Sequence, residues 1–442
     1  MDAAVVFLAY QGSMKKILIL ADQFPPRKGG VSSWMEKLAR ILTLSHETVV
    51  ADLSESGRGS IPRREDSGLF QSGESRQPGD ERFAVERFAG FSDAAIRETI
   101  RTAEPAAVPP RPGGFLNSLR LFLLMRPEEL ATLFFVLRLI RARGFRGKDR
   151  ILASNPAPMG YYAVFARFFF GIPFAAVCHG GELLYYRSRR IDSGKLSAAL
   201  NGADVLIANS RFTKRLLLEA GCAPAKIRIV HPGVDVRHFR PGPKDRRLIE
   251  KLGIENRFVL LTVAHLVEHK NHLGVLGVLA ALIGKYRNLH YLILGSGPYG
   301  MRIEEESRRL GLAGHVTFLE AVPYPDLPRY YRLCDVFIML SLRLAHSVEG
   351  FGIAFLEAGA CGKPVIGLAE GGIPDAVENG RSGFLVRDLP DAARRVETLI
   401  QDYGLRRRMG RYGRTRCESR FTWEQSVRRL KDALFNGQPL HN

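Results

Sequence analysis

Short runs of consecutive apolar residues alternate with stretches of helical spacing along most of the chain. Lys16 to Ala21, KILILA, is apolar at every position after the first and too short for a helix. That is the pattern of a strand buried on both faces of a parallel sheet. The loop DQFPPRKGG follows, and then VSSWMEKLARIL, in which Val31, Met35, Leu38 and Leu42 fall on one helical face. Further strands are predicted at Ile151–Ala153, Phe174–Cys178, Val205–Ala208 and Ile227–Val230. In the second half they are predicted at Phe258–Ala264, His290–Leu294, Val316–Leu319, Val336–Leu340, Pro364–Gly367 and Gly383–Val386. Helices are predicted near 273–286, 301–310, 325–332, 353–361 and 390–401, with FTWEQSVRRLKDALF as a last helix. Alternating strands and helices predict an α/β protein with parallel sheets flanked by helices.

The segment HPGVDVRHFRPGPKD, rich in Pro and Gly and without a period, is the best linker in the chain. It divides two Rossmann-like halves, expected at 14–235 and 241–420. Residues 54–82 are Gly/Ser/Arg-rich with few apolar groups and read as a mobile loop. Ligands of such halves bind outside the carboxyl ends of the strands.

Composition narrows the classes. With 442 residues, 46% hydrophobic and 25% charged, the chain is ordinary globular material, which excludes wholesale disorder, collagen and a small disulfide scaffold. The net charge of +19 points to a polyanionic partner: nucleic acid, an anionic membrane face or phosphorylated substrates. Basic and aromatic residues are not interleaved as in a nucleic-acid-binding module, so no nucleic-acid partner is expected. Cys178, Cys222, Cys334, Cys361 and Cys417 form no C-x-x-C pair and read as buried small hydrophobes of a reducing compartment. No apolar run approaches the ~20 residues of a membrane span. MDAAVVFLAYQGS lacks a basic n-region, and Met14 is the more natural start. The expected location is cytoplasmic. The segment LRLFLLMRPEELATLFFVLRLIRARGFRGKDR combines apolar runs with six basic residues from Arg138 to Arg150, which suggests peripheral contact with the anionic inner face of a membrane.

Candidate chemistry lies at the predicted strand ends. After the strand ending near Leu340 comes Glu349-Gly350-Phe351-Gly352, then the helix-forming run IAFLEAGA. Glycines before a helix let a ligand approach the backbone, and the first-turn N–H groups hold an anion. Glu349 just before this helix and Glu357 one turn inside it can accept hydrogen bonds from vicinal hydroxyls. Together they suit a sugar nucleotide. Lys270, in the loop after Phe258–Ala264, is placed to neutralise a phosphate. His265, His269 and His272 with Glu268 invite a metal reading, but their spacing matches no strong metal pattern. Leu294 to Gly300 fits G-x-G-x-x-G, with Glu320 ending a later strand, but lies in the middle of its half rather than in the first β–α unit that a dinucleotide fingerprint needs. Gly29-Gly30 and His179, followed by Gly180-Gly181, sit at strand ends in the first half.

The motifs FPPRKGGV, HGGE, ADVLIANSRFTKRLL, VHPGVDVRHF, LVEHK, LGSGP, EGFGIAFLEAGACGKPVIG, GGIPDAV and FTWEQS resemble the retaining glycosyltransferases of the GT-B fold, family 4 (glycosyl transferases group 1), over nearly the whole chain. The form EGFGIAFLEA is most similar to the mannosyltransferase branch of lipid-linked glycan synthesis. The resemblance implies two Rossmann-like domains facing across a cleft, with the helix in 421–442 returning to the first. It implies that Glu349 binds donor-sugar hydroxyls, Glu357 the ribose, and Lys270 the diphosphate. Gly352, Ile353 and Ala354 would offer backbone N–H groups to the phosphates. His179 would lie beside the transferred sugar, and Gly30, with Gly29, would approach the phosphate from the other half. His265, Gly295 and Gly297 fall among the donor-binding positions. The implied reaction moves a hexose from GDP-mannose or a UDP-sugar to a glycan or lipid-linked acceptor with retention, without cofactor or obligatory metal. Three positions depart from the family pattern: Ala264-His265 for Gly-Arg, Asn271 for Gly, and Glu320 for Gly. His265 motivates the alternative of a non-catalytic sugar-nucleotide-binding scaffold in a glycan-synthesis complex.

Overall fold

The computed structural model describes residues 15–21, 30–43, 46–53, 83–87, 118, 121–187, 190–320 and 322–435. The expected loop at 54–82, the start at Met14, and Gly29 lie outside these residues. Seven strands form one sheet: β1 (Lys16–Ala21), β2 (Glu47–Asp52), β3 (Phe83–Arg87), β4 (Arg150–Ala153), β5 (Phe174–Cys178), β6 (Val205–Ala208) and β7 (Ile227–Ile229). Six form another: β8 (Phe258–Val263), β9 (Leu289–Leu294), β10 (Val316–Leu319), β11 (Val336–Met339), β12 (Val365–Leu368) and β13 (Gly383–Val386). Between the first strands run α1 (Gly30–Leu42), α2 (Pro127–Ala142), α3 (Met159–Phe170), α4 (Gly181–Arg187), α5 (Arg190–Gly202) and α6 (Arg211–Glu219). Then come α7 (Arg246–Leu252), α8 (His272–Ile283), α9 (Gly300–Arg309), α10 (Leu327–Leu333) and α11 (Ile353–Ala360). The last are α12 (Ile373–Ala376), α13 (Leu389–Gln401), α14 (Tyr403–Arg420) and α15 (Trp423–Phe435).

The sheet orders are β3-β2-β1-β4-β5-β6-β7 and β10-β9-β8-β11-β12-β13. Both follow the doubly wound pattern in which the chain starts in the middle, builds one way, then reverses. All five pairings of the six-stranded sheet are parallel. By contact the chain divides into two compact units. One holds the described residues up to Ser154 with Pro158–Ala175 and Gly202–Asp204; the other holds Asn155–Ala157, Ala176–Asn201 and the described residues from Val205.

In the six-stranded sheet the strands are apolar throughout because both faces are covered. Val259, Leu261, Phe337 and Met339 point into one core with Phe239, Tyr331 and Phe355. Leu260, Ile293, Val336 and Ile338 point into the other with Val275, Leu279 and Val396. Each fully buried residue of this size contributes roughly 1.5–3 kcal/mol from burial. Two adjoining loops therefore leave a rigid floor at the reversal point between β8 and β11.

The segment expected as a linker is packed: Phe239 is fully buried, and Val234 bridges to Thr422. Its Pro and Gly residues exclude helix but do not prevent burial. The final helix α15 packs on β6, and Ser426 Oγ donates to the His231 carbonyl at 2.7 Å. Strands β2 and β3 and helix α14 had no counterpart in the periodicity. In α14, seven Arg and three Gly in 18 residues hide the period. Those glycines have a purpose, since a Cβ on Gly410 would lie 2.0 Å from the Gly362 carbonyl oxygen. All five cysteines are buried and unpaired thiols.

Candidate functional site

The loop after β8 and the loop after β9 lie backbone against backbone. Ala264 N–H donates to Leu294 O at 3.1 Å, Leu266 N–H to Ser296 O at 2.9 Å, and Tyr299 N–H to Leu266 O at 2.9 Å. Gly295, at φ +153°, makes this approach, because a Cβ there would stand 1.9 Å from Ala264 O. Gly297 would likewise meet Leu266 O at 2.5 Å. His265 is exposed on this surface, with Nδ1 3.4 Å from Ser296 O.

The same loop is tied to the one after β11. Leu342 N–H donates to His269 O at 2.7 Å. Asn271 Nδ2 donates to Leu340 O at 3.0 Å, while its Oδ1 caps α8 through Gly274 N–H, also at 3.0 Å. His269 Nδ1 lies 3.1 Å from Ser347 Oγ. Burial, and then the neighbouring Lys270 charge, push the His269 pKa down to about 4, so its ring is neutral near pH 7. These ties deliver Lys270 to Glu349. Lys270 Nζ donates to Glu349 Oε2, with the two side chains only 17% and 13% exposed.

Glu349 leads into Gly350, Phe351 and Gly352. Gly352, at φ +89°, turns the chain into α11, and no side chain caps that helix. The first-turn N–H groups, including those of Ile353 and Ala354, have no acceptor within their own helix. An anion is therefore favoured at this end. One turn along, Glu357 accepts a hydrogen bond from Tyr331 Oη at 2.6 Å. Burial raises the Glu357 pKa to about 7, against the lowering effect of the Tyr331 bond. As pH climbs from about 4.5 toward 7 this group costs the fold stability, since ionisation is easier in the unfolded chain.

His179 directly follows β5 and lies beside this segment. Its N–H donates to Glu182 Oε1 at 2.6 Å, and its carbonyl accepts from Asn209 Nδ2 at 3.2 Å. A Cβ on Gly350 would be 1.9 Å from that carbonyl oxygen. On the other side, Gly372 N–H donates to Glu349 O at 2.8 Å, and a Cβ on Gly372 would be 1.8 Å from Gly350 O. HGG, EGFG and EGG thus meet along their backbones. The structure gathers His179, Lys270, Glu349, Gly352, Ile353 and Ala354 into connected segments. Glu357 follows within α11, and His265, Gly295 and Gly297 form the adjoining loop pair. Gly30 starts α1 in the other compact unit.

The histidines do not converge. His272 is buried with Nδ1 3.1 Å from Tyr291 Oη, His269 faces Ser347, and His265 is exposed. Among the described residues no group of three His, Cys, Asp or Glu side chains could hold a metal. Glu320 is exposed after β10.

Sequence reasoning missed Asp375. It is 6% exposed and accepts Arg211 N–H and Arg211 Nε, both at 2.8 Å, with His231 Nε2 at 2.9 Å. Burial raises its pKa, but these partners outweigh it, and the carboxyl sits at about 2. The motif GGIPD contained the residue, but partners 144 and 164 positions away leave no local signal. A group held below its ordinary value stabilises above that value and loses the effect as pH falls through the folded one. Asp375→Asn should therefore cost about 2 kcal/mol at neutral pH and almost nothing near pH ~2, as urea unfolding at the two pH values would show.

Residues 244–416 match the family model described as glycosyl transferases group 1, and residues 79–238 match glycosyltransferase family 4. A GDP-mannose-dependent α-(1-6)-phosphatidylinositol monomannoside mannosyltransferase of Mycolicibacterium smegmatis is 26% identical over 95% of this chain and 98% of its own. A D-inositol 3-phosphate glycosyltransferase of Corynebacterium jeikeium is 34% identical over 55% of this chain and 59% of its own. Among solved structures, Anabaena HepE in complex with UDP and glucose matches at a TM-score of 0.68 and 20% identity, covering 95% of this chain and 98% of that one. Sucrose-phosphate synthase from Thermosynechococcus elongatus matches at 0.70 and 18%, covering 95% and 98%. Two family models in succession, and two doubly wound sheets of the same architecture, place the chain in glycosyltransferase family 4 as a hexosyltransferase of the GT-B fold.

Proposed function

We propose that the protein transfers mannose from GDP-mannose to a lipid-linked acceptor with retention of anomeric configuration. The observation that carries this reading is the Lys270–Glu349 pair beside the uncapped start of α11, with Glu357 one turn further on. Lys270 and the helix start stabilise the diphosphate and the charge that grows on it as the sugar leaves. Glu349 orients the sugar hydroxyls, Glu357 holds the ribose, and His179 lies beside the transferred ring. His265 supplies a donor at the loop surface where a permanent cation is absent. No metal takes part. The mannosyltransferase relatives support the choice of base and sugar, and HepE with UDP is the reason to include uridine donors in the test. The test is a panel of GDP-mannose, UDP-glucose and ADP-glucose with a mannoside acceptor, read by product NMR. GDP-mannose with an α-linked product supports the reading. Turnover with UDP-glucose alone would reassign the donor, and binding without transfer or hydrolysis would favour the scaffold.

Glu357 adds a pH dependence. Its carboxylate accepts ribose hydroxyls best when ionised, and its pKa in the free protein is about 7. Binding should pull that value down, so GDP affinity rises with pH through about 7. Glu357→Gln should weaken binding and remove this component. Calorimetry of both proteins between about pH 6 and 8 makes the comparison.

Membrane contact belongs to the same proposal. Most of α2 is a core helix, with Leu133, Val136, Leu139 and Ile140 buried, and Asp149 is held by the N–H groups of Lys16 and Arg146. What remains outside is basic: Arg141, Arg143, Arg146 and Lys148 are exposed, as are Phe122 and, at 74%, Leu123. No described helix is long and apolar enough to cross a membrane. Flotation with vesicles containing phosphatidylglycerol, but not with pure phosphatidylcholine, is expected, and salt should weaken it.

A further inference from the structure

Three helices border a half-open crevice of about 260 Å³ that the site just described does not use. Its walls come from α4, α5 and α6, and Leu183, Leu196, Leu200 and Leu216 line it, each at most 5% exposed. Polar groups stand at the rim. Arg187 and Glu219 face each other there at 3.8 Å, both 56% exposed, so their mutual attraction is weak and screened. Ser197 and Ala220, also at the rim, are exposed.

The helices relate this cavity to the site. α4 starts at Gly181, two residues after His179, and α6 starts at Arg211, directly after the Asn209-Ser210 pair whose Asn209 holds the His179 carbonyl. At ~1.5 Å per residue, Leu183 and Leu216 lie roughly 3–8 Å along their helices, and Arg187 and Glu219 roughly 9–12 Å. The mouth thus stands about two helical turns beyond the helix starts that adjoin His179. Its leucine walls offer no hydrogen bond to a sugar hydroxyl or a peptide group, and burying such a group unpaired is unfavourable. A hydrocarbon chain carries no such cost and gains about 0.8 kcal/mol per buried methylene.

We propose that this cavity takes the hydrocarbon chain of the acceptor, while the acceptor's polar end occupies the site at His179. The inference rests on the reading of the acceptor as lipid-linked, and it names where the lipid part lies.

The probes are methyl α-mannoside and n-octyl α-mannoside, below micelle formation, titrated calorimetrically into the full chain. The octyl compound should bind at least about tenfold more tightly. Ser197→Trp and Ala220→Phe each place a ring at the mouth from an exposed position, so neither asks the core to repack. Both should erase the octyl advantage and leave methyl mannoside binding and the melting temperature unchanged. Equal affinity of the two probes in the wild type overturns the proposal, and so does an octyl advantage that survives in both variants. A transfer assay with the same probes separates the two readings. If the chain-length effect follows the cavity but neither probe is mannosylated, the hydrocarbon site stands and the acceptor assignment falls.

Discussion

Glu349→Gln should lower kcat by about 10²–10³ while GDP affinity holds or improves. The reason is the pair it forms with Lys270 inside a largely buried site. On the proposed reading, Glu349 orients the sugar hydroxyls, so its loss leaves the reacting carbon poorly placed. At the same time Lys270 loses its internal counter-ion and becomes more available to phosphate. Lys270→Ala acts in the opposite sense. It removes the cation and leaves a carboxylate facing the incoming diphosphate, so donor affinity should fall by about 10²–10³. Removing one partner of a buried pair also destabilises the fold, here by about 2–3 kcal/mol, somewhat below the full-burial range. The double variant decides the matter. Lys270→Ala with Glu349→Gln should bind GDP better than Lys270→Ala alone and recover stability, yet remain inactive. Steady-state kinetics, GDP calorimetry and urea unfolding of the four proteins give the complete cycle. Full transfer activity in Glu349→Gln together with unchanged donor affinity in Lys270→Ala would remove both residues from the mechanism.

Gly350→Ala is expected to be among the most damaging single methyl additions at the described glycines. The added carbon would stand 1.9 Å from the His179 carbonyl oxygen and 2.8 Å from Asn209 Nδ2. Neither neighbour yields cheaply. The carbonyl belongs to the end of β5, and Asn209 is held by Thr213 Oγ1 at 2.7 Å within the capped start of α6. Relief requires the HGG and EGFG segments to separate, which displaces His179 and Glu349 together. A loss of about 3 kcal/mol or more, with activity reduced beyond detection, is the expected result. Gly284→Ala is the control. That glycine has ordinary helical backbone angles, and an added methyl would meet nothing within 4 Å, so stability should stay within about 0.5 kcal/mol. Denaturant unfolding of the two variants tests the contrast.

The positions of Lys270, Glu349 and His179 after strands were legible in the sequence, because each follows a strong strand signal and sits near a glycine or a helix start. The apolar runs at Phe258–Val263 and Val336–Met339 located the ends of β8 and β11, the two strands between which the sheet order reverses. Asp375 was illegible for the converse reason, since Arg211 and His231 reach it only through the tertiary fold. The raised pKa of Glu357 was equally hidden, because burial causes it against the lowering effect of the Tyr331 bond, and neither is written near EGFGIAFLEA. Helix α14 shows a different limit. Its glycines look like breaks in a one-dimensional pattern, whereas Gly413 lies against Gly359 in α11 and lets the two helices approach.

The seam at Gly350 and Gly372 has a consequence for how this site can change over time. Its scaffold is main chain against main chain, so its shape depends little on which side chains are nearby. Glycines in the seam are closed to variation, whereas the exposed His265 and Glu320 stand outside it. New donor preferences can therefore arise by exchanging such residues one at a time, with the catalytic frame inherited intact. A glycine lost from the seam would have to be matched by simultaneous changes in two distant stretches of chain, a route that single substitutions do not offer.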